Sequence, residues 1–165
     1  MATFEKIAFT EVGSGGAASI DFSSIPSTFT DLKLICSVRS SAASEDISYL
    51  SLNGSTTGFS ARYLQGNGST ASSSTLARWG GNFTASNNTA STFGSAELYF
   101  PNYLSSNQKS YSVDNVTETN GTTAYAGIVA GLWTGTAAIN QITLTPASGN
   151  YVQYSTFTLY GIKKA

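Results

Sequence analysis

Residues 31–39 read DLKLICSVR. Leu32, Leu34, Cys36 and Val38 fall on one side of an extended chain, and Lys33, Ser37 and Arg39 on the other, with Ile35 the single apolar exception. Successive strand side chains point to opposite faces, so this alternation marks a strand with one face on a core and one toward solvent. A helix needs its apolar residues at a period of 3.6, which the stretch does not offer. Outward from this strand the same period of two recurs. Ile7 and Phe9 alternate over residues 4–12, and Ala18, Ile20 and Phe22 alternate with Ser19 and Asp21. Gly13-Ser14-Gly15-Gly16 lies between those two runs, and glycine supplies the positive φ of tight turns, so they read as a hairpin.

Pro26 breaks the pattern before residue 31, because proline donates nothing to a ladder. On the C-terminal side, residues 40–46 are a polar loop and Ile47–Leu52 is a strand, ended by the turn pair Asn53-Gly54. Phe59, Ala61 and Tyr63 mark the next strand. Residues 66–74, GNGSTASSS, read as a polar loop within one domain, since the strand patterns on either side are alike. Leu76–Trp79 with Phe83 forms a weaker strand or pair, Phe93–Phe100 is stopped by Pro101, and a short helical turn is expected near 102–107. Strands follow at Ser110–Val116, Tyr125–Trp133, Ile139–Leu144 and Val152–Tyr160. The run Tyr125–Trp133 is apolar almost throughout, which fits a central strand buried on both faces, with Trp133 in the core.

About ten strands at intervals of roughly 10–15 residues predict an all-β chain, an antiparallel β-sandwich of jelly-roll type. Both terminal strands are expected inside its sheets, and Leu34, Val38, Val129 and Ile142 in its core. One domain over residues 1–165 suits the length.

Composition excludes several functions. Apolar residues make up 41% and charged residues only 10%, with serine, threonine, asparagine and glycine filling the difference. Eight basic and nine acidic residues leave a net charge of −1, too little clustered positive charge for nucleic acid or an anionic membrane. There is no histidine, which removes Ser-His-Asp and Cys-His catalysis and histidine metal ligation. The one cysteine, Cys36, has no partner for an internal disulfide and sits in an apolar strand, so it reads as a small buried hydrophobe. The N-terminus lacks a signal-peptide run and no stretch is long and apolar enough to span a bilayer, so synthesis in a cytoplasm and a soluble product are expected.

Chemistry-bearing motifs are sparse. Glu45-Asp46 is the only adjacent acidic pair, and neighbours on a loop point apart, so a solvated loop is expected rather than a paired-carboxylate site. Asp114–Glu118 comes nearest to a calcium loop but lacks the D-x-D-x-D-G spacing. Neither glycine cluster, at 13–16 or 66–68, is followed by a lysine and a helix, so neither is a phosphate cradle. Six N-x-S/T triplets begin at Asn53, Asn67, Asn82, Asn87, Asn115 and Asn120 and read as turn residues. No catalytic, metal or cofactor site is expected. The residues expected to touch a partner protein or a sugar are exposed aromatics, namely Phe59, Tyr63, Trp79, Tyr99 and Tyr103.

Four segments carry a resemblance: SSIPSTFTDLKLICSVRS, YLSLNGSTTGFSARYLQGNGSTASS, SAELYFPNY and GLWTGTAAINQITLTPASGNYVQYSTFTLYGIKK, with Leu159-Tyr160-Gly161-Ile162 the most distinctive part. Together they resemble small β-sandwich structural proteins of tailed bacteriophages, of the decoration, head-fibre or tail-associated kind. The resemblance implies a virion protein without enzymatic activity. Its expected partners are the major capsid protein or other virion proteins, and its copies are expected to form a homotrimer, since capsid lattices offer three-fold positions. A tail- or fibre-associated module that binds a receptor or a host glycan is the other function implied.

Overall fold

Alternating burial appears in most of the strands, as the sequence reads. The computed structural model describes residues 2–117 and 124–164. It holds twelve strands: β1 (Thr3–Glu11), β2 (Ile20–Phe22), β3 (Asp31–Val38), β4 (Asp46–Leu52), β5 (Phe59–Gly66), β6 (Ala71–Leu76), β7 (Trp79–Phe83), β8 (Gly94–Phe100), β9 (Lys109–Thr117), β10 (Tyr125–Trp133), β11 (Ile142–Pro146) and β12 (Thr156–Lys163). In β3, Leu32, Leu34, Cys36 and Val38 are buried, while Ile35 faces out.

Every strand pairing is antiparallel, and eight of the strands nest as one long hairpin folded over on itself. β1 pairs with β12, β2 with β11, β3 with β8 and β4 with β7. Rolled up, these pairs give two sheets, β1-β12-β3-β8 and β2-β11-β4-β7, whose interleaving is that of a jelly roll. Two insertions, β5–β6 after β4 and β9–β10 after β8, lengthen the first layer into an eight-stranded sheet of order β1-β12-β3-β8-β9-β10-β5-β6. β7 crosses over β8, β9 and β10, closing the core between the layers.

That core runs along the inner face of the large sheet in register, from Leu159 through Leu34, Leu98, Val113 and Val129 to Tyr63. Ile20, Leu50, Leu52, Ile142 and Leu144 meet it from the small sheet. Leu34, Val38, Val129, Ile142 and Trp133 are all buried, as the alternation predicts. Cys36 is buried among them, and burial raises its thiol pKa far above the ordinary value.

Five expectations are corrected. β1 and β2 do not form a hairpin; they lie in different layers and pair with β12 and β11. Period two identifies a strand but not its neighbour, and residues 12–19 carry the chain from one layer to the other. β12 is interior, but β1 is an edge strand with a bulge between Lys6 and Ala8. Residues 66–74, read as a loop, contain most of β6, which alternation misses because five of its six residues are exposed. Residues 101–107 form successive turns rather than a helix. β10 is central, yet only one of its faces is buried, and Ala126, Ile128, Ala130 and Leu132 are exposed on the other.

Candidate binding face

The five aromatics singled out from the sequence are dispersed by the fold, and most of them are not exposed. Tyr63 and Trp79 are buried and stack on each other with ring centroids 4.2 Å apart. Tyr103 is fully buried, its hydroxyl donating to the Pro26 carbonyl. Phe59 is half-buried, stacked on Trp133 at 6.0 Å and edge-on to Tyr111 at 6.5 Å. Their expected exposure is therefore corrected. Tyr63 shares strand parity with Ala61 and so turns inward, and the 101–107 turn places Tyr103 in the core. Tyr99 alone stands on the uncovered face, half-buried, with its hydroxyl donating to Asp31 Oδ2 at 2.8 Å.

Inside the core, around β7, lies a cluster of polar groups that make no well-formed hydrogen bond among the described residues: the Tyr63 and Tyr111 hydroxyls, Trp79 Nε1 and the Asn115 amide. Burial pushes both tyrosine hydroxyls up to about 12, outweighing the opposite pull of the Asn82 side chain on Tyr63 and of the Trp79 backbone on Tyr111.

The acidic candidates do not converge. Asp114 faces solvent and Asn115 faces the core, as adjacent strand residues must, while Glu118 lies outside the described residues. Among the described residues no group of three or more acidic or cysteine side chains is placed to hold a metal ion. Of the asparagines read as turn residues, Asn53 takes a positive φ of 51° and Asn67 caps the β5–β6 turn, but Asn82 and Asn115 are buried within strands. Asn87 sits in a turn and Asn120 lies outside the described residues.

Asp46 departs from its reading as part of a solvated loop: it opens β4 and is buried, with the Ser148 N–H at 3.5 Å. Burial raises its pKa, against smaller lowering by hydrogen bonds from Ser148, Ser40 and Ile47. A carboxyl whose folded pKa lies above its unfolded value of about 4 favours folding while it is protonated, and that contribution is lost as pH rises through the folded value. Asp46→Asn is therefore expected to be more stable than the parent above that window and to lose this part of the pH dependence. Urea midpoints measured from about pH 3.5 to about pH 7 test this.

The feature left uncovered is the outer face of the eight-stranded sheet. Its registers align side chains into rows across all eight strands, one running from Phe9 on β1 to Ser73 on β6 by way of Ile35, Asp114, Ile128 and Leu64. Ile128 and Leu64 are direct cross-strand partners and remain 56% and 52% exposed. The sheet curls enough for Phe4 of edge strand β1 and Ser73 of edge strand β6 to line one groove of about 840 Å³. A smaller hollow of about 320 Å³ adjoins it past Leu64 and Ile128. Charge along the groove balances: Lys33 Nζ pairs with Glu97 Oε2 at 2.6 Å, and Arg62 and Asp114 add one charge of each sign. The hydroxyls of Ser73, Ser74, Thr75 and Ser112 complete the lining.

Such a face suits a large, weakly charged partner that takes up apolar contacts and many neutral hydrogen bonds. Sequence reasoning missed it because it sought aromatics. The signal was the excess of apolar residues in Tyr125–Trp133, read instead as burial on both sides. No protein-family model matches the sequence, and no curated protein matches it.

Proposed function

We propose that this protein is a non-enzymatic structural component of a tailed-bacteriophage virion, a capsid decoration protein that docks through the outer face of its eight-stranded sheet. The observation that carries the reading is β10, the most apolar strand of the chain, whose Ile128 and Leu132 stand in solvent on that face. Exposed apolar side chains set among polar ones on a broad sheet, such as the paired Ile128 and Leu64, suit a surface that another macromolecule covers. The resemblance of the four segments to phage structural proteins supports the virion setting and names the major capsid protein as the partner. The balanced charge of the groove supports docking by shape, apolar area and neutral hydrogen bonds, with repetition over a lattice adding avidity.

Mass spectrometry of purified particles is expected to find the chain in stoichiometric amounts. The copies retained are expected to survive a wash at about 1 M salt as well as one at about 0.1 M, because screening weakens ion pairs but not apolar contact. Ile128→Glu is expected to lower the retained copies about tenfold while leaving the melting temperature unchanged, since the residue is exposed. Absence from particles, or full retention of the variant, would overturn the reading.

A tail- or fibre-associated glycan-binding module is the second reading. Its support is the Tyr99 ring, held by Asp31 beside the hydroxyls of the groove, an arrangement able to stack on a sugar ring. Binding on a glycan array that Tyr99→Ala abolishes, with no chain retained on capsids, would favour it over decoration.

A further inference from the structure

Each open sheet edge leaves a row of backbone N–H and C=O groups free to pair with another strand, and proteins blunt such edges with charge, bulges, short strands or cover. Three of the four edges here are blunted. β1 carries a bulge between Lys6 and Ala8 and the charges Glu5, Lys6 and Glu11, with Glu5 paired to Lys163 at 2.7 Å. β2 is three residues long and carries Asp21. β7 is buried along its whole length.

β6 has none of these devices. Its sequence is ASSSTL, without charge or proline, and its ladder to β5 runs unbroken from Ala61↔Leu76 to Gly66↔Ala71. The turn that delivers it is fixed, because Asn67 Oδ1 accepts from the N–H groups of Ser69 at 3.0 Å and Thr70 at 2.8 Å. The edge is therefore straight, pre-ordered and lined by small hydroxyl side chains that lose little rotamer freedom on pairing.

We infer that β6 is a self-association edge, pairing antiparallel with β6 of a second copy about a two-fold axis. The occupant follows from the chemistry of the edge. A strand without charge offers nothing to select a charged foreign segment and nothing to repel its own copy. An antiparallel two-fold pair whose axis is perpendicular to the sheet puts like faces together, which restricts the dyad to a residue facing its own counterpart. Centred on Ser73, the ladder sets Ala71 against Thr75 and Ser72 against Ser74; centred on Ser74, it sets Ser72 against Leu76 and Ser73 against Thr75. Hydroxyl residues meet directly across the pair in both registers, a favourable cross-strand pairing. The two outer faces then join and the two grooves form one surface; in the Ser73-centred register the row ending Leu64–Ser73 continues directly into its counterpart. The inference goes beyond the docking role and holds whatever that face binds.

Six residues of edge fall short of the roughly 800 Å² per partner of a standard interface, so the dimer is reversible and depends on concentration. Because native Cys36 is buried, introduced cysteines report cleanly. Ser73→Cys and Ser74→Cys, examined separately, place two thiols at the dyad within disulfide reach, and at least one of them is expected to cross-link to a dimer under mild oxidation. Ser106→Cys, exposed on the 101–107 turn and away from β6, is expected to form no cross-link under the same oxidation.

In sedimentation, the double variant S73K/S74K is expected to dimerise about tenfold more weakly than the parent, because like charges then face each other. Mixing it with S73E/S74E is expected to restore dimers, which a misfolded variant does not do. A parent that stays monomeric at its highest soluble concentration, a trimer, or a dimer untouched by S73K/S74K would each overturn the inference.

Discussion

Leu34→Ala is expected to lower the stability of this protein by about 3–4 kcal/mol, and its melting temperature by about 10 °C. Leu34 has no exposed surface and sits mid-row on the inner face, between Leu159 on β12 and Leu98 on β8. Truncation removes the transfer free energy of the lost methyl groups. It also leaves a cavity that a hydrogen-bonded sheet cannot close, because both neighbours are fixed by ladders on each side. Ile35→Ala, one residue along on the outer face, is expected to cost about 1 kcal/mol or less. Urea unfolding of the two variants checks both values. Equal losses would mean that the outer face is covered within the protomer.

Lys109→Ala is expected to cost about 3 kcal/mol. Lys109 is only 1% exposed, and burial lowers its pKa. Its ammonium donates to the carbonyls of Ser105 at 2.6 Å, Asn107 at 2.6 Å and Thr136 at 3.3 Å. One side chain thus ties the 101–107 turn, the start of β9 and the segment after β10 together. Removing it strands those carbonyls and the space its stem filled. Lys109→Met keeps most of the stem and is expected to lose less. Amide hydrogen exchange in residues 101–107 is expected to quicken in both variants before global unfolding does. Unchanged exchange there would show that the turn holds without the lysine.

Nothing in the local sequence flags that lysine, since KSYSV reads as a strand start with a solvated base. Arg39 poses the same problem. It reads as an outward charge on β3, yet its guanidinium donates to the carbonyls of Ser86, Asn88, Thr89 and Thr92 and holds that loop against the strand. Which carbonyls face such a cation depends on loops that are remote in sequence and adjacent only after folding. The binding face was partly legible: the apolar excess of Tyr125–Trp133 was visible, but not whether a second layer covered both sides of it. Tyr63 and Tyr103 show the same limit from the other direction, since an aromatic that packs inward and one that waits for a ligand have the same letter.

The fold class and the aliphatic part of the core were legible in the chain before any geometry. Side-chain direction in a strand alternates with period two whatever the partner, so Leu34, Val38, Val129 and Ile142 declared their burial locally. Composition removed histidine chemistry and strong electrostatics before any geometry was known. Strand pairing, by contrast, emerged only on folding. Backbone hydrogen bonds are nearly independent of side-chain identity, so no local pattern states that β1 meets β12 or that β2 meets β11. Folding also decided which face went uncovered and which edge stayed open. Both depend on how many strands join each layer, and here two insertions made one sheet twice as wide as the four-stranded sheet that covers it.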